Sequence, residues 1–253
     1  MAKIIAVANQ KGGVGKTTTA ISLAGSLARF EKQCLLVDMD PQGNCGRGVG
    51  IDPTSVSRNI ADVLLGTTDI NKVIKKTTTP KIDIVTSNLR LATVESKVQG
   101  NGRAFYLLKN SIKKLNAQYD YIIIDCPPSL GLLCINALTA ANSVLIPVQC
   151  EYFALEAVAQ ILSTISKVQK KYNNELDILG FLLTMYDPRV KLATEITTEV
   201  RGLFSEKTFI TQIPRNVSLA EAAAMGKPVT VFKPTATGSQ AYIALAKEIL
   251  SNE

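Results

Sequence analysis

Ile4-Ile5-Ala6-Val7-Ala8 leads into Lys11-Gly12-Gly13-Val14-Gly15-Lys16-Thr17-Thr18, and the stretch from Thr17 to Phe30 then carries Ala20, Ile21, Leu23, Ala24, Leu27 and Ala28. The first run has the continuous β-branched apolar character of a strand buried on both faces. The last has apolar residues at helical spacing. Between them the glycines let the backbone turn sharply and aim its N–H groups inward. The start of the following helix adds partial positive charge at the same place. The order strand, glycine loop, helix therefore builds a cradle for phosphate. Lys16 would reach the β- and γ-phosphates and Thr17 would offer a hydroxyl to Mg²⁺.

The loop departs from the usual P-loop pattern. That pattern needs a glycine five residues before Gly15, and Gln10 stands there. The deviant Walker A form, Lys-Gly-Gly-x-Gly-Lys-Thr, is present instead. It is far more specific than the general pattern, and its context of strand, loop and helix argues against a mere glycine-rich connection. Lys11, Gly12, Gly13, Val14, Gly15, Lys16, Thr17 and Thr18 are the candidate phosphate-side residues.

Strands and helices alternate along the rest of the chain. Strands are expected at Cys34–Asp38, Ile82–Val85, Tyr121–Asp125, Val144–Ile146 and Ile178–Met185. Helices are expected at Ile60–Leu65, Asp69–Lys76, Ala104–Leu115, Leu132–Ala140, Ala154–Lys171, Lys191–Phe204, Leu219–Met225 and Ser239–Leu250. Such alternation implies an α/β fold with a mostly parallel central sheet and helices on both faces. Residues 1–253 are expected to form a single P-loop domain. Ligands of such sheets collect at the C-terminal strand ends. Three acids fall at or just past such ends. Asp38 and Asp40 lie in Val37-Asp38-Met39-Asp40-Pro41-Gln42-Gly43-Asn44, and Asp125 closes the run Tyr121-Ile122-Ile123-Ile124. An acid in the first segment can orient an attacking water or hold Mg²⁺ through water, or it can simply cap the turn before Pro41. Asp125 has the Walker B logic, a strand holding a carboxylate within water-bridged reach of the metal. Cys126-Pro127-Pro128-Ser129 and Gly131 behind it suggest a stiff segment able to shift as a unit when the γ-phosphate leaves.

An apolar fraction of 46% excludes a disordered chain. No stretch approaches the ~18 uncharged apolar residues of a membrane span, and Met1-Ala2-Lys3-Ile4 runs straight into the first strand without a targeting segment. Five cysteines, none in a C-x-x-C pair, read as small buried hydrophobes of a cytoplasmic protein. Histidine is absent, which removes any His-activated nucleophile and leaves zinc only thiolates and carboxylates. The net charge of +7 points weakly to a polyanionic partner.

The loop at 11–18, the Asp38-to-Asn44 segment, Tyr121 through Ser129, and Ile213-Pro214-Arg215-Asn216-Val217 with Glu221 and Gly226-Lys227-Pro228 together resemble the ParA/Soj family of DNA-segregation ATPases. The resemblance covers nearly the whole chain and is nearest the short Soj type, with no added DNA-binding domain before the first strand. It implies an ATP-bound sandwich homodimer in which Lys11 crosses to the partner's phosphates, much as an arginine finger does. It implies that Lys16 holds phosphate in its own subunit, that Thr17 ligates Mg²⁺ with Asp125 behind it, and that Asp40 positions the hydrolytic water. Pro214 and Asn216 would pack beside the adenine. The dimer would bind double-stranded DNA without sequence preference, cover the nucleoid, and let go after hydrolysis stimulated by a ParB-type partner. A regulatory binding module that acts through its nucleotide state on a replication initiator is a further reading, and it can coexist with segregation. Arg189 matches a position the family uses for DNA. Ser218 stands where a second family arginine would fall, so Lys227, Lys233 and Lys247 are the candidates to complete the patch.

Two related classes fit less well. A MinD-like membrane ATPase would end in a basic amphipathic helix, whereas this chain ends Ala244 to Glu253 with an acidic finish. An iron–sulfur reductase would need two cysteines per subunit at the dimer axis, and none lies between Cys45 and Cys126.

Overall fold

The apolar runs assemble into one seven-stranded sheet in the computed structural model, which describes residues 2–98, 100–116 and 118–252. In chain order the strands are β1 (Lys3–Val7), β2 (Cys34–Asp38), β3 (Ile74–Lys76), β4 (Ile82–Val85), β5 (Tyr121–Asp125), β6 (Ser143–Gln149) and β7 (Asp177–Thr184). Their spatial order is β3-β4-β2-β5-β1-β6-β7, parallel except for β3. The helices are α1 (Lys16–Arg29), α2 (Asn44–Gly48), α3 (Ile60–Leu64), α4 (Val94–Lys97), α5 (Leu107–Ile112), α6 (Leu132–Ala140), α7 (Ala154–Lys171), α8 (Lys191–Leu203), α9 (Val217–Ala224), α10 (Val229–Phe232) and α11 (Thr237–Ser251).

Strand side chains alternate between the two faces, and each face has its own core. Leu35, Val37, Ile122 and Ile124 pack with Ile60, Leu108, Leu138, Ile161 and Val200 from α3 and α5–α8. Cys34, Leu36, Tyr121 and Ile123 pack on the other face with Leu23, Leu27, Val229, Tyr242, Leu245 and Ile249 from α1, α10 and α11. All five cysteines are buried free thiols. The Thr19 and Tyr242 hydroxyls share a buried hydrogen bond of 3.0 Å that fastens α11 to α1.

The expected helix over Asp69–Lys76 does not form. Asp69 does cap a helical turn, accepting the Asn71 N–H, but the turn is a 3-10 turn limited to Ile70–Lys72. Ile74, Lys75 and Lys76 then pair antiparallel with β4. A β-branched residue followed by two lysines suits a short, charged edge strand better than a helix. Helix α2 is the converse case. Its sequence, Asn-Cys-Gly-Arg-Gly, has low helical propensity outside its arginine. It forms because the buried Asp38 carboxylate accepts the N–H groups of Cys45 and Gly46. It also lies so close to α1 that a Cβ on Gly48 would sit 2.4 Å from Ile21 Cδ1.

Candidate nucleotide and metal site

The parallel register lines up three strand ends. Val7 is level with Asp125, and Asp125 with Asp38. The glycine loop springs from β1, at one end of this row and next to β5, and brings Lys16 and Thr17 beside Asp125. Gly13 and Gly15 take φ of 78° and 90°, a region that strains any residue with a Cβ. From Gly15 the chain enters α1, with Gly15 O accepting the Thr19 N–H at 2.8 Å. The loop is held from outside by two contacts that local sequence patterns did not reveal. Asn9, itself buried, donates to Pro147 O at 2.7 Å and accepts the Lys11 N–H at 3.0 Å. Thr184, at the end of β7, donates to Val14 O at 2.9 Å.

The two lysines differ in setting. Lys16 is buried, and its Nζ donates to Lys11 O at 3.0 Å across the loop. Burial holds its pKa below the ordinary lysine value, and the carboxylate of Asp125 pulls it part of the way back. Lys11 is paired instead with Glu151, its Nζ 3.4 Å from Oε2.

The acids also separate into roles. Asp38 is fully buried and takes the backbone N–H of Asp40 as well as those of Cys45 and Gly46, so it is the turn-capping acid. Asp40 is half-buried, beyond the strand end, with Oδ1 accepting the Gln42 N–H at 3.0 Å. Ser87 donates to Asp40 O and anchors this turn to the segment after β4. Both carboxylate oxygens of Asp125 are buried and accept no well-directed hydrogen bond among the described residues. A carboxylate in that condition is costly unless a cation or its waters compensate it. With the Thr17 hydroxyl close enough to lower its proton affinity, Asp125 and Thr17 suit a hydrated divalent cation.

Desolvation raises the Asp38 and Asp125 carboxyls above their ordinary range; the charge of Asp40 adds to the rise at Asp38, and the charges of Asp38 and Asp40 add to it at Asp125. The folded chain therefore holds more protons than the unfolded one as pH climbs from the ordinary carboxylate range to the raised values. Stability falls with rising pH through that window. With no histidine in the chain, few other side chains titrate between about pH 5 and 8. The melting temperature of the nucleotide-free protein is expected to drop by several degrees over that range, at about 2–4 °C per kcal/mol for a chain of this size. Asp125→Asn should flatten the slope, and calorimetry across pH reads it directly.

A cavity of about 250 Å³ opens beside the loop, lined by Gly15, Thr18, Met185, Pro214, Asn216 and Tyr242 among others. Its wall is tied to the sheet because Ile213 N–H donates to Leu183 O, and Tyr186 bridges to Pro214. The volume and mixed lining suit a planar base next to the phosphate cradle. The Asn216 amide is already engaged. It caps α9 by accepting the Ser218 N–H and donates to Thr237 Oγ1 at 2.7 Å, so it shapes the slot rather than reaching freely into it.

The family model described as an AAA domain matches residues 2–178. The sporulation initiation inhibitor protein Soj of Bacillus subtilis (strain 168) is 48% identical over 252 residues, with 100% of each chain covered. The chain belongs to the ParA/Soj family. The chromosome partitioning protein ParA of Myxococcus xanthus (strain DK1622) is 45% identical over 99% of this chain and 89% of its own. Among solved structures, the cobyrinic acid a,c-diamide synthase of Mycobacterium smegmatis, with bound ATP analog and magnesium, superposes at a TM-score of 0.89. It is 35% identical and covers 99% of this chain and 94% of that one.

Against this ParA/Soj frame the expected DNA residues divide. Lys227, Lys233 and Lys247 are exposed on or beside α9, α10 and α11, which pack on one another. Arg189 is exposed in the β7–α8 connection, where its guanidinium and N–H close onto Asp187 at 2.7–3.0 Å. These bonds to Arg189 hold Asp187 down at about 2. Glu151 and Arg215 are functional candidates that sequence reasoning passed over. Arg215 lies in the Ile213-to-Val217 segment but the motif gives it no role of its own, Glu151 sits in no recognisable pattern, and only the fold brings Arg215 and Lys11 to the same carboxylate.

Proposed function

We propose that this chain is a Mg²⁺-dependent ATPase that moves DNA cargo by cycling on and off the chromosome. Lys16 and the loop N–H groups hold the phosphates, Thr17 and Asp125 hold Mg²⁺, and Pro214 and Asn216 bound the base. Bound Mg²⁺ supplies charge neutralisation across the β- and γ-phosphates. Asp40, at the mouth of the site, orients the attacking water. The observation that carries the reading is the direction of Lys11. It stands at the front of the loop with its ammonium outside its own cradle, where a second subunit's phosphate can meet it.

The surface supports pairing of two copies in the presence of ATP. Leu89, Tyr152, Phe153 and Val190 are all exposed by 48% or more, and each lies in the connection that follows a strand of the parallel sheet. Exposed apolar groups at the strand ends that carry the site favour a covering partner there. Pairing would also double the basic surface offered to DNA. The ADP state would separate, and a ParB-type protein would hasten the step. A replication initiator is a second target of the ATP state in this reading. The C-terminal helix favours DNA over a MinD-like membrane role. α11 buries Tyr242, Leu245, Ala246 and Ile249 against α1, so no free apolar face remains on it for lipid. Glu253 lies outside the described residues.

DNA retention tests the reading. The wild type with Mg–ATP should hold duplex DNA of any sequence, weakening steeply with salt because phosphate contacts dominate. Arg189→Glu is expected to cut retention about tenfold at physiological salt, as a reversed phosphate contact should, while nucleotide affinity is unchanged. Retention equal to wild type would remove Arg189 from the contact. Failure of the wild type to retain DNA in ATP would sink the DNA role altogether.

A further inference from the structure

Glu151 lies in the turn between β6 and α7, and that turn is fixed. Its N–H donates to Gln149 O at 2.8 Å, and its carbonyl accepts the Ala154 N–H at 2.9 Å. Both carboxylate oxygens are engaged. Oε1 accepts from Gln149 Nε2 at 2.6 Å and lies 3.6 Å from the guanidinium of Arg215. Oε2 lies 3.4 Å from Lys11 Nζ. One side chain thus spans the front of the phosphate loop, the wall of the base cavity and the end of β6. Glu156, one turn into α7, lines the same shallow pocket as Lys11 but is paired by hydrogen bond with Gln160 instead. The residues following Glu151 are the exposed aromatic pair Tyr152 and Phe153, whose rings meet edge to face at 5.0 Å.

We propose that Glu151 is a latch: it holds Lys11 and Arg215 on their own subunit until the phosphates of a second copy draw Lys11 away. The inference rests on the ATP-dependent dimer of the preceding reading and adds a residue that sets its threshold. A lysine stretched to a neighbour's phosphate leaves this carboxylate, so the ion pair is lost when the dimer forms. Removing the pair beforehand lowers what dimerisation must overcome. Because Tyr152 and Phe153 flank the latch, the same face is covered when the copies meet. Glu151 is half-exposed, so its replacement leaves the core intact. Glutamine preserves its size and its contact with Gln149.

The test compares Glu151→Gln, Glu151→Asp and Glu156→Gln, each in an Asp40→Ala background that slows hydrolysis. Multi-angle light scattering follows the dimer fraction as Mg–ATP is titrated. Glu151→Gln is expected to lower the half-maximal ATP concentration about three- to tenfold, the scale of one exposed ion pair released per subunit. Glu151→Asp, which keeps the charge, and Glu156→Gln, which removes a nearby unlatched charge, should both stay within about twofold of the background. Melting temperatures confirm that each variant is folded. An unchanged or raised midpoint for folded Glu151→Gln overturns the latch, as does an equal fall for Glu156→Gln. If the background protein dimerises normally in those cases, the functional reading survives. If it stays a single subunit in saturating Mg–ATP, both fall together.

Discussion

Asp40→Ala is expected to produce a dimer that persists in Mg–ATP, and Lys16→Ala to produce no dimer at all. The two residues stand within one site but on opposite sides of the chemistry. Asp40 is half-buried beyond the end of β2, with its backbone N–H held by Asp38 and its turn tied to Ser87. It is an acid, so removing it costs no attraction for phosphate. In the proposed role, what disappears is the group that orients water, at about 10²–10⁴-fold in rate. The ATP-bound form then accumulates because its exit is closed. Lys16 is the reverse case. It is buried at the start of α1, with its ammonium donating to Lys11 O. Alanine there removes a charge-assisted contact to phosphate and leaves the loop carbonyl without that donor. A loss of about 10- to 100-fold in ATP affinity follows from the usual strength of such bonds. Light scattering of both variants with and without Mg–ATP distinguishes them, and identical behaviour would refute the separate roles.

Lys11→Ala should cost about 10³-fold in hydrolysis stimulated by a ParB-type partner, the lower end of what a cation supplied in trans contributes. Affinity of the single subunit for ADP should change little. In the lone subunit Lys11 Nζ is directed at Glu151 rather than into the cradle, so it contributes little to holding its own nucleotide. Its effect belongs to the transition state, where charge develops on the transferred group and a desolvated cation counts most. Titration calorimetry with ADP and steady-state turnover report the two halves separately. Wild-type turnover in Lys11→Ala would end the trans-acting assignment. A large loss of ADP affinity would show instead that Lys11 serves its own subunit.

The amino-acid order made the phosphate side of the site legible because its requirements are local. Gly13 and Gly15 must adopt positive φ, Lys16 and Thr17 must begin a helix, and β1 must precede them. Each demand is met within a few consecutive residues, so it leaves a pattern. The apolar runs that became β1, β2 and β5 were equally plain, since strands buried on both faces tolerate little else. Local reasoning went wrong where tertiary contacts override propensity. Ile74–Lys76 became an edge strand because β4 offered it an unpaired side. Asn44–Gly48, to which local reasoning assigns no element, is helical because a buried aspartate from β2 supplies an acceptor for its first N–H groups.

From its residues alone the chain determined a deviant phosphate loop, an alternating α/β order and acids at strand ends, since bond geometry and side-chain periodicity act over short stretches. Only the tertiary structure decided that Asp38 caps a turn while both Asp125 oxygens are buried without a well-directed hydrogen bond among the described residues, that Asn9 and Thr184 brace the loop, and that Glu151 meets both Lys11 and Arg215. Those contacts join residues as far as 170 positions apart. They depend on strand register and packing, which bring distant segments together with no shared local pattern to announce it.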